Sequence, residues 1–201
     1  MVTSPHSLAS AAGVDVLRAG GSAIDAAIAA SAVLAVVYPH MTGLGGDAFW
    51  LVHEGGSGEV RYLNGGGKAA AGASLSSLRE RGLNEIPLRG IIPATLTVPG
   101  AVAGWEDLLK RHGSLTLADT LADAIHYARD GFPVHPVYGA SWRRAERFLQ
   151  NCANAGDYLP GGSAPQIGQI VRLPGLARTL QAIAEGGAAA FYRYACRCRL
   201  P

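Results

Sequence analysis

The sequence predicts an α+β fold in which helices dominate and a β-hairpin supplies most of the strand. Apolar residues recur at helical spacing along much of the chain, and one helix, residues 26–37, is apolar on every side. Two segments rich in aromatic and β-branched residues flank a glycine-rich turn, which is the pattern of a hairpin. At 201 residues the chain is long enough for one substantial domain, so we expect one folding unit.

The first helix is predicted over residues 7–17. Leu8, Ala12 and Val16 are four residues apart, so they lie on one face of a helix. The glycine pair at 20–21 ends the helix, because glycine commonly follows a helix C-terminus. We expect an amphipathic helix with its apolar face on the core.

The second helix begins at a capping box and ends before a proline. Ser22 and, three residues later, Asp25 form a variant of the box that satisfies free backbone N–H groups at a helix start. Residues 26–37 are small or apolar, and Pro39 prevents the helix from continuing. A helix of this kind lies inside a core, and its many alanines let neighbouring elements come close.

The hairpin is predicted from residues 48–54 and 59–64, which flank the turn GGSG at 55–58. A short helix over 74–81 and a strand over 94–98 follow. Helices then dominate, separated by glycines, prolines or polar loops. They are predicted over residues 101–111, 117–129, 137–150 and 175–185.

Composition excludes several classes of function. Charged residues make up 16% of the chain, against roughly 25% in ordinary soluble domains. We therefore expect further chain or a partner subunit to cover part of the surface. The formal net charge of +2 gives no support to nucleic-acid binding. Residues 26–37 are shorter than the roughly 20 residues needed to cross a bilayer, so no membrane span is expected.

The sequence shows no signal-peptide pattern and no cysteine spacing typical of a metal or redox site. The N-terminus lacks the charged start, apolar segment and cleavage site of a signal peptide. We expect a cytoplasmic location, or export if the true start lies upstream. Cys152, Cys196 and Cys198 lack the spacings of zinc ligands or of a redox pair. We expect incidental thiols, and no metal or organic cofactor is implied.

A glycine-rich segment matches a nucleotide-binding pattern in the wrong context. Residues 43–48, GLGGDA, satisfy the dinucleotide fingerprint, but a helix precedes them and a strand follows. Two interpretations stay open: a turn whose N–H groups line a pocket for an anion or oxyanion, and a tight helix-to-strand connection. His40 and Asp47 flank this turn, and for His40 we favour a role in capping the preceding helix over a role in polarising a substrate.

Other candidate residues fit structural roles better than catalytic ones. Ser4 and His6 are too close in sequence, on too extended a segment, to be taken as a catalytic pair, and no G-x-S-x-G elbow occurs. Trp105 and Phe132 are expected to be core anchors. The sequence therefore offers no nucleophile with its base.

Six segments together resemble the N-terminal part of gamma-glutamyltranspeptidases and their relatives. They occur in the family's order, from near residue 3 to Tyr192. The segments are SPHSLASAAG from Ser4, GGSAIDAAIAA from Gly20, VVYPHMTGLGG from Val36, TVPGAVAGW from Thr97, LADAIHYARDGFPV from Leu121 and LARTLQAIAEGGAAAFY from Leu176.

The resemblance implies an N-terminal-nucleophile hydrolase fold, a four-layer α/β/β/α sandwich of which this chain is the N-terminal portion. Such enzymes cut themselves into a large and a small subunit, and a threonine freed at the start of the small subunit is the nucleophile. Its α-amino group acts as the base, and water or an amine resolves the acyl-enzyme. The resemblance thus implies no catalytic residue within 1–192, a small-subunit partner that carries the nucleophile, and a gamma-glutamyl or small-amide substrate.

One departure from the family's pattern concerns substrate binding. True transpeptidases carry an Asp-x-Arg-Glu-like stretch after the hairpin, and its arginine holds the substrate α-carboxylate in a bidentate pair. This chain has LNGGGK at 63–68, with Gly66 in the arginine's place, and Lys68 does not reproduce the fork. We expect Asn64, Gly65 and Gly66 to line the substrate pocket. The pattern resembles the amidohydrolases without this arginine, which include oxamate amidohydrolase.

A second departure is the end of the sequence. Residues 193–201, RYACRCRLP, are abruptly rich in Cys and Arg, whereas the family continues with a glycine and a further helix. We expect a domain of residues 1–192 followed by a tail that results from truncation or a shifted reading frame, and no activity of the chain alone. Two alternatives stay open: a non-catalytic domain that pairs with a separate small subunit, and an acylase of the same fold.

Overall fold

The computed structural model describes residues 1–86, 96–152 and 154–193. Within them the helices are α1 (Ser7–Arg18), α2 (Ala23–Val37), α3 (Leu75–Glu80), α4 (Ala101–His112), α5 (Leu117–Asp130), α6 (Pro136–Leu149), α7 (Ala155–Tyr158) and α8 (Pro174–Arg193). The strands are β1 (Ala48–His53), β2 (Val60–Gly65), β3 (Phe132–Pro133) and β4 (Ile170–Val171). The predicted helix-rich α+β class is confirmed.

Residue contacts divide the chain into two compact units, whereas its length led us to expect one. The first, here called the helical unit, consists of Met1–Gly43 and Trp105–Pro201, and the second, the hairpin unit, is Leu44–Gly104. Most of the buried apolar side chains belong to the helical unit. In the hairpin unit Phe49, Leu51 and Tyr62 are all exposed, so the apolar side chains do not form one continuous core.

The first two helices form where the sequence predicts them. In α1 the buried residues are Ala9, Ala12, Gly13 and Val16, which share one face. In α2 ten residues are buried, in agreement with its apolar sequence, and the capping box between Ser22 and Asp25 is present. In the part of the chain that the structure describes, no helix has both the length and the apolar content of a bilayer span.

Asp25, in the first turn of α2, is completely buried and fully hydrogen-bonded. Its carboxylate accepts hydrogen bonds from the N–H and Oγ of Ser22, both at 2.7 Å. It also accepts from the N–H and Oγ of Ser114, at 3.1 and 2.6 Å, and from the N–H of Leu115 at 3.3 Å. Because Ser114 and Leu115 connect α4 to α5, one carboxylate fixes the start of α2 to that connection.

The same contacts determine the charge state of Asp25. Burial by itself raises the pKa of this carboxyl group, but the hydrogen bonds from Ser114 and Ser22 outweigh burial. The pKa therefore lies below its ordinary value of 3.8. The carboxylate stays ionised at neutral pH and serves as a permanent acceptor for its five donors.

Two predicted core anchors occupy the core of the helical unit. Trp105 on α4 is 1% exposed, and its Nε1–H donates a hydrogen bond to Oγ of Ser31 on α2 at 3.2 Å. Phe132 on β3 is fully buried. A buried indole needs a partner for its N–H, and the lone serine at the centre of α2 provides it.

The hairpin has the predicted strands and a well-defined register. The strands β1 and β2 are antiparallel, and Ala48 pairs with Gly65 and Leu51 with Tyr62. The predicted strand over 94–98 falls partly outside the described residues. In the described part, Thr97 makes a single antiparallel bridge with Ala69.

Three features of the helical unit were not predicted, and one of them is the four-residue helix α7. Strands β3 and β4 pair over two residues each, which is too short for a periodic signal. Helix α8 was predicted over 175–185 but continues to Arg193 after a break at Gly187, where φ is 68° and ψ is −168°. Oε1 of Glu106 accepts a hydrogen bond from the N–H of Ala188 at 3.3 Å, at the start of the second segment. The tail beyond Arg193 lies outside the described residues.

We predict that Asp25→Asn destabilises the helical unit by about 2–4 kcal/mol, because an amide cannot accept from all five donors and leaves buried N–H or O–H groups unpaired. Urea unfolding followed by circular dichroism at pH 7 measures this loss. Asp15→Asn is the control, because Asp15 forms an exposed ion pair with Arg18, and we expect a change below about 0.5 kcal/mol.

The pH dependence provides a second check on Asp25. A carboxyl group whose pKa is lowered by folding contributes stability that is complete above 3.8 and is lost as the pH falls through the folded-state pKa. The difference between wild type and Asp25→Asn should therefore shrink in acid. A difference that is constant down to pH 3 contradicts the assignment of an ionised, hydrogen-bonded carboxylate.

Candidate functional site

The residues predicted to line a substrate pocket lie at the end of the hairpin. Asn64 and Gly65 are the last two residues of β2, opposite Phe49 and Ala48 of β1, and Gly66 follows directly. Asn64 and Gly66 are exposed, and Gly65 is half-buried. The structure therefore presents this short segment at the surface of the hairpin unit.

Three segments that are distant in sequence are joined at this position by backbone hydrogen bonds. The carboxylate of Asp47 accepts from the N–H of Gly67 at 2.8 Å, which ties the glycine turn before β1 to the segment after β2. The carbonyl of Lys68 accepts from the N–H of Val98 at 2.9 Å. The carbonyl of Gly46 accepts from the N–H groups of Gly100 and Ala101, at 3.1 and 3.0 Å.

These contacts bring together two of the segments on which the family resemblance rests and the segment in which the chain departs from the family's pattern. They include the glycine turn, the segment after the hairpin and the segment that leads into α4. Asp47 thus has a structural task, which the sequence did not reveal because its partner, Gly67, is twenty residues away. The turn at 43–47 is a helix-to-strand connection, since α2 precedes it and β1 follows, and this is the reverse of a dinucleotide site.

The glycines of this segment are not equivalent. A Cβ on Gly65 would overlap the carbonyl oxygen of Ala48, and one on Gly67 would overlap that of Val98. A Cβ on Gly66 would meet only side-chain atoms, with Oδ1 of Asn64 at 2.9 Å as the nearest. Gly65 and Gly67 are therefore required for close backbone approach, whereas a side chain at position 66 requires a shift only of the side chains of Asn64 and Phe49.

The side-chain amide of Asn64 forms a hydrogen bond through its oxygen only, within the described residues. Its Oδ1 accepts a hydrogen bond from the N–H of Gly66 at 2.9 Å, which closes a local turn. Its Nδ2 donates to no residue in the described ranges and remains available to a ligand. Lys68, two residues beyond Gly66, is exposed and is the nearest cation in the sequence.

The other candidates have structural roles in the helical unit. Oγ of Ser4 donates to the backbone carbonyl of His6 at 2.8 Å and shares a hydrogen bond with Oγ of Ser10, also at 2.8 Å. The ring of His6 accepts from the N–H of Leu8 at 3.2 Å. Because the hydroxyl of Ser4 is directed at the backbone, Ser4 and His6 are not arranged as a nucleophile and base.

The expected capping role of His40 is wrong. The carbonyl of Tyr38, at the end of α2, is reached by the N–H groups of Met41 and Thr42. The ring of His40 instead stacks on Tyr138, with centroids 4.9 Å apart and planes at 9°. Nδ1 of His40 is buried and has no hydrogen-bond partner in the part of the chain that the structure describes, and burial lowers the pKa of the ring. Packing against Tyr138, which the sequence places almost a hundred residues away, determines its position.

Metal ligands and reactive thiols contribute nothing to the described site. Across residues 1–86, 96–152 and 154–193, no three His, Cys, Asp or Glu side chains are grouped as a metal centre requires. Cys152 is a free, half-buried thiol. Cys196 and Cys198 lie outside the described residues.

Comparison with known proteins identifies the family. The family model for gamma-glutamyltranspeptidase matches residues 9–196. The chain belongs to the gamma-glutamyltranspeptidase family. Membership explains why the six segments occur together and in one order along the chain.

Two curated relatives and one solved structure place the chain within the gamma-glutamyltranspeptidase family. It is 45% identical over 196 residues to the glutathione hydrolase-like YwrD proenzyme of Bacillus subtilis (strain 168), which covers 96% of this chain and 36% of that protein. It is 42% identical over 199 residues to the oxamate amidohydrolase proenzyme of Klebsiella pneumoniae subsp. pneumoniae, which covers 96% of this chain and 37% of that protein.

The structural comparison confirms the N-terminal-nucleophile hydrolase type of fold. The structure of Helicobacter pylori gamma-glutamyltranspeptidase matches with a TM-score of 0.88 and 32% identity, covering 96% of this chain and 56% of that one. This chain spans little more than a third of the length of the two curated relatives, the YwrD proenzyme and the oxamate amidohydrolase proenzyme. The four-layer sandwich is a property of the larger fold, of which these residues form one part.

We predict that Gly67→Ala destabilises the hairpin unit by about 1–3 kcal/mol, the usual cost of overpacking, because the new Cβ overlaps the carbonyl oxygen of Val98. Hydrogen exchange at the Val98 amide, which donates to Lys68, measures this locally. Gly72→Ala is the matched control, since nothing lies within 4 Å of its Cβ. Equal exchange rates in the two variants would contradict the close backbone approach.

Proposed function

We propose that this chain contributes the substrate-binding segment of an N-terminal-threonine hydrolase that cleaves small amide bonds through an acyl-enzyme. Two observations support this: the chain belongs to the gamma-glutamyltranspeptidase family, and its relatives include proenzymes named for glutathione hydrolysis and for oxamate hydrolysis. The described residues offer no paired nucleophile and base. In the proposed enzyme, a small-subunit segment supplies the nucleophile.

The proposed reaction has two steps, formation of the acyl-enzyme and its hydrolysis. The threonine hydroxyl adds to the amide carbonyl while its α-amino group takes the hydroxyl proton, and the carbon–nitrogen bond breaks as that proton passes to the leaving amine. Water then adds to the ester of the acyl-enzyme, which releases the carboxylic acid and restores the threonine. Within this chain, we assign to the Nδ2 group of Asn64 the role of donating a hydrogen bond to the substrate.

The proposed substrate class is argued from the residue at position 66. It corresponds to the family's carboxylate-binding arginine, and it is the one position among residues 65–67 where a side chain fits without meeting backbone. This chain has glycine there, so the bidentate partner for an α-carboxylate is missing. Lys68 supplies only a point charge, which does not replace a planar fork. We therefore assign small amides, such as oxamate, ahead of gamma-glutamyl compounds.

We predict that the purified 201-residue chain has no amidase activity. It should release neither ammonia from oxamate nor 4-nitroaniline from gamma-glutamyl-4-nitroanilide, because the nucleophile is absent. The gene should be sequenced beyond codon 201 in all frames, and the longest product expressed and assayed in parallel. We expect that product to cleave itself into two chains and to hydrolyse oxamate. Turnover by the 201-residue chain alone would show that the proposed division of the active site is wrong.

We predict that Gly66→Arg, made in the longer product, shifts specificity toward gamma-glutamyl substrates. The ratio of kcat/KM for gamma-glutamyl-4-nitroanilide to that for oxamate should rise about tenfold to a hundredfold, as about 1.5–3 kcal/mol is expected for a hydrogen bond to a charged group. Gly72→Arg is the control, because its loop offers open space away from Asn64. If both variants leave the ratio unchanged, position 66 does not face the substrate carboxylate.

A further inference from the structure

Two histidines cap two different helices of the helical unit in the same way. His6 precedes α1, and its Nδ1 accepts a hydrogen bond from the N–H of Leu8 at 3.2 Å. His135 precedes α6, and its Nδ1 accepts from the N–H of Val137 at 3.3 Å. In both cases the amide belongs to the second residue of the helix. A ring nitrogen that accepts an N–H carries no proton, so each neutral ring is protonated on Nε2.

The two caps are in contact with each other. The ring centroids of His6 and His135 are 5.2 Å apart, and the planes are inclined by 60°. His6 is 3% exposed, and its Nε2 is buried with no hydrogen-bond partner among the described residues. The starts of α1 and α6 are therefore joined through two neutral imidazoles, one of which is completely enclosed.

The ring contacts near the pair are with aromatic side chains and with a third imidazole. Tyr38 lies edge-on to His6 at 6.5 Å between centroids, and His40 lies beyond it, 4.2 Å from Tyr38 and stacked on Tyr138. On the α1 side, the hydroxyl of Ser4 donates to the backbone carbonyl of His6 and shares a hydrogen bond with the hydroxyl of Ser10. Among the described residues, no Asp or Glu forms an ion pair with His6 or His135, so a proton added to either ring gains no carboxylate partner.

We propose that His6 and His135 form a proton-sensitive pair of helix caps, which holds the starts of α1 and α6 together at neutral pH and releases them in mild acid. The device is independent of the proposed substrate. It acts on the helical unit, where the first and last parts of the chain pack together.

Protonation opposes this arrangement in three ways. A proton on Nδ1 points at the backbone N–H that it formerly accepted, so the cap is lost. The positive charge then lies at the positive end of a helix dipole. The second imidazole adds repulsion when it is charged. In keeping with this, the pKa of His6 lies below its ordinary value of 6.5. The larger cause is burial of the ring, and the smaller cause is the charge of His135.

The direction of the pH effect follows from that lowered pKa. The unfolded chain takes up a proton on His6 more readily than the folded chain does. The stability contributed by the neutral cap is therefore complete above pH 6.5 and is lost as the pH falls through the folded-state pKa. For each such histidine the unfolding equilibrium constant rises by at most about tenfold per pH unit.

The first experiment measures unfolding of the 201-residue chain in urea between pH 7.5 and 5.0 for wild type, His6→Asn and His135→Asn. Asparagine keeps an oxygen that accepts the capping N–H but does not titrate in this range. We expect the wild-type unfolding constant to rise at least fivefold more than that of His6→Asn over this interval. The control is His53→Asn, an exposed histidine on β1, which should keep the wild-type pH dependence. Equal pH dependence of wild type and His6→Asn overturns the proposal.

A second experiment needs no variant to fold. Long-range proton–nitrogen NMR spectra of wild type labelled with nitrogen-15 at histidine report the tautomer and titration of each ring. We expect the Nε2–H tautomer for His6 and His135 at pH 7.5, and a midpoint below 6.5 for His6. An Nδ1–H tautomer for either ring, or a His6 midpoint at or above 6.5, overturns the proposal.

Discussion

The helical unit depends on one buried charge, the carboxylate of Asp25. A carboxylate without hydrogen bonds is very costly to bury, so the folded core needs the segments that supply its donors. Those segments are the start of α2 and the connection between α4 and α5. Because α2 is otherwise apolar, the hydrogen bonds of Asp25 and of Ser31 are the side-chain hydrogen bonds that join it to other elements among the described residues.

The hairpin unit is held by a different constraint, close approach of backbone to backbone. Gly65 and Gly67 let the chain pass within hydrogen-bonding range of neighbouring carbonyls, and Asp47 fixes the segment from the other side. A segment held in this way is rigid without needing a large apolar core. Position 66 lies between these two glycines, and a Cβ there would meet side-chain atoms of Asn64 and Phe49 before any backbone atom.

Prediction succeeded where the signal lies within a few neighbouring residues. The capping box at Ser22, the apolar face of α1 and the hairpin strands are all local patterns, and the structure contains them. It failed where a distant partner decides, as for the ring of His40, which stacks on Tyr138 instead of capping α2. The break in α8 at Gly187 is a related case, because the glutamate that receives the new helix start is on α4.

The sequence by itself determined the family, the helix-rich α+β class and the absence of an arginine at position 66. Each of these depends on residue identity and order, which need no coordinates. Only the tertiary structure decided which glycines are obligatory, what Asp47 holds and that His6 meets His135, since these depend on distances between residues far apart in the chain. Hydrogen bonding and steric exclusion act over a few ångströms, so a sequence pattern reveals them only when both partners are neighbours along the backbone.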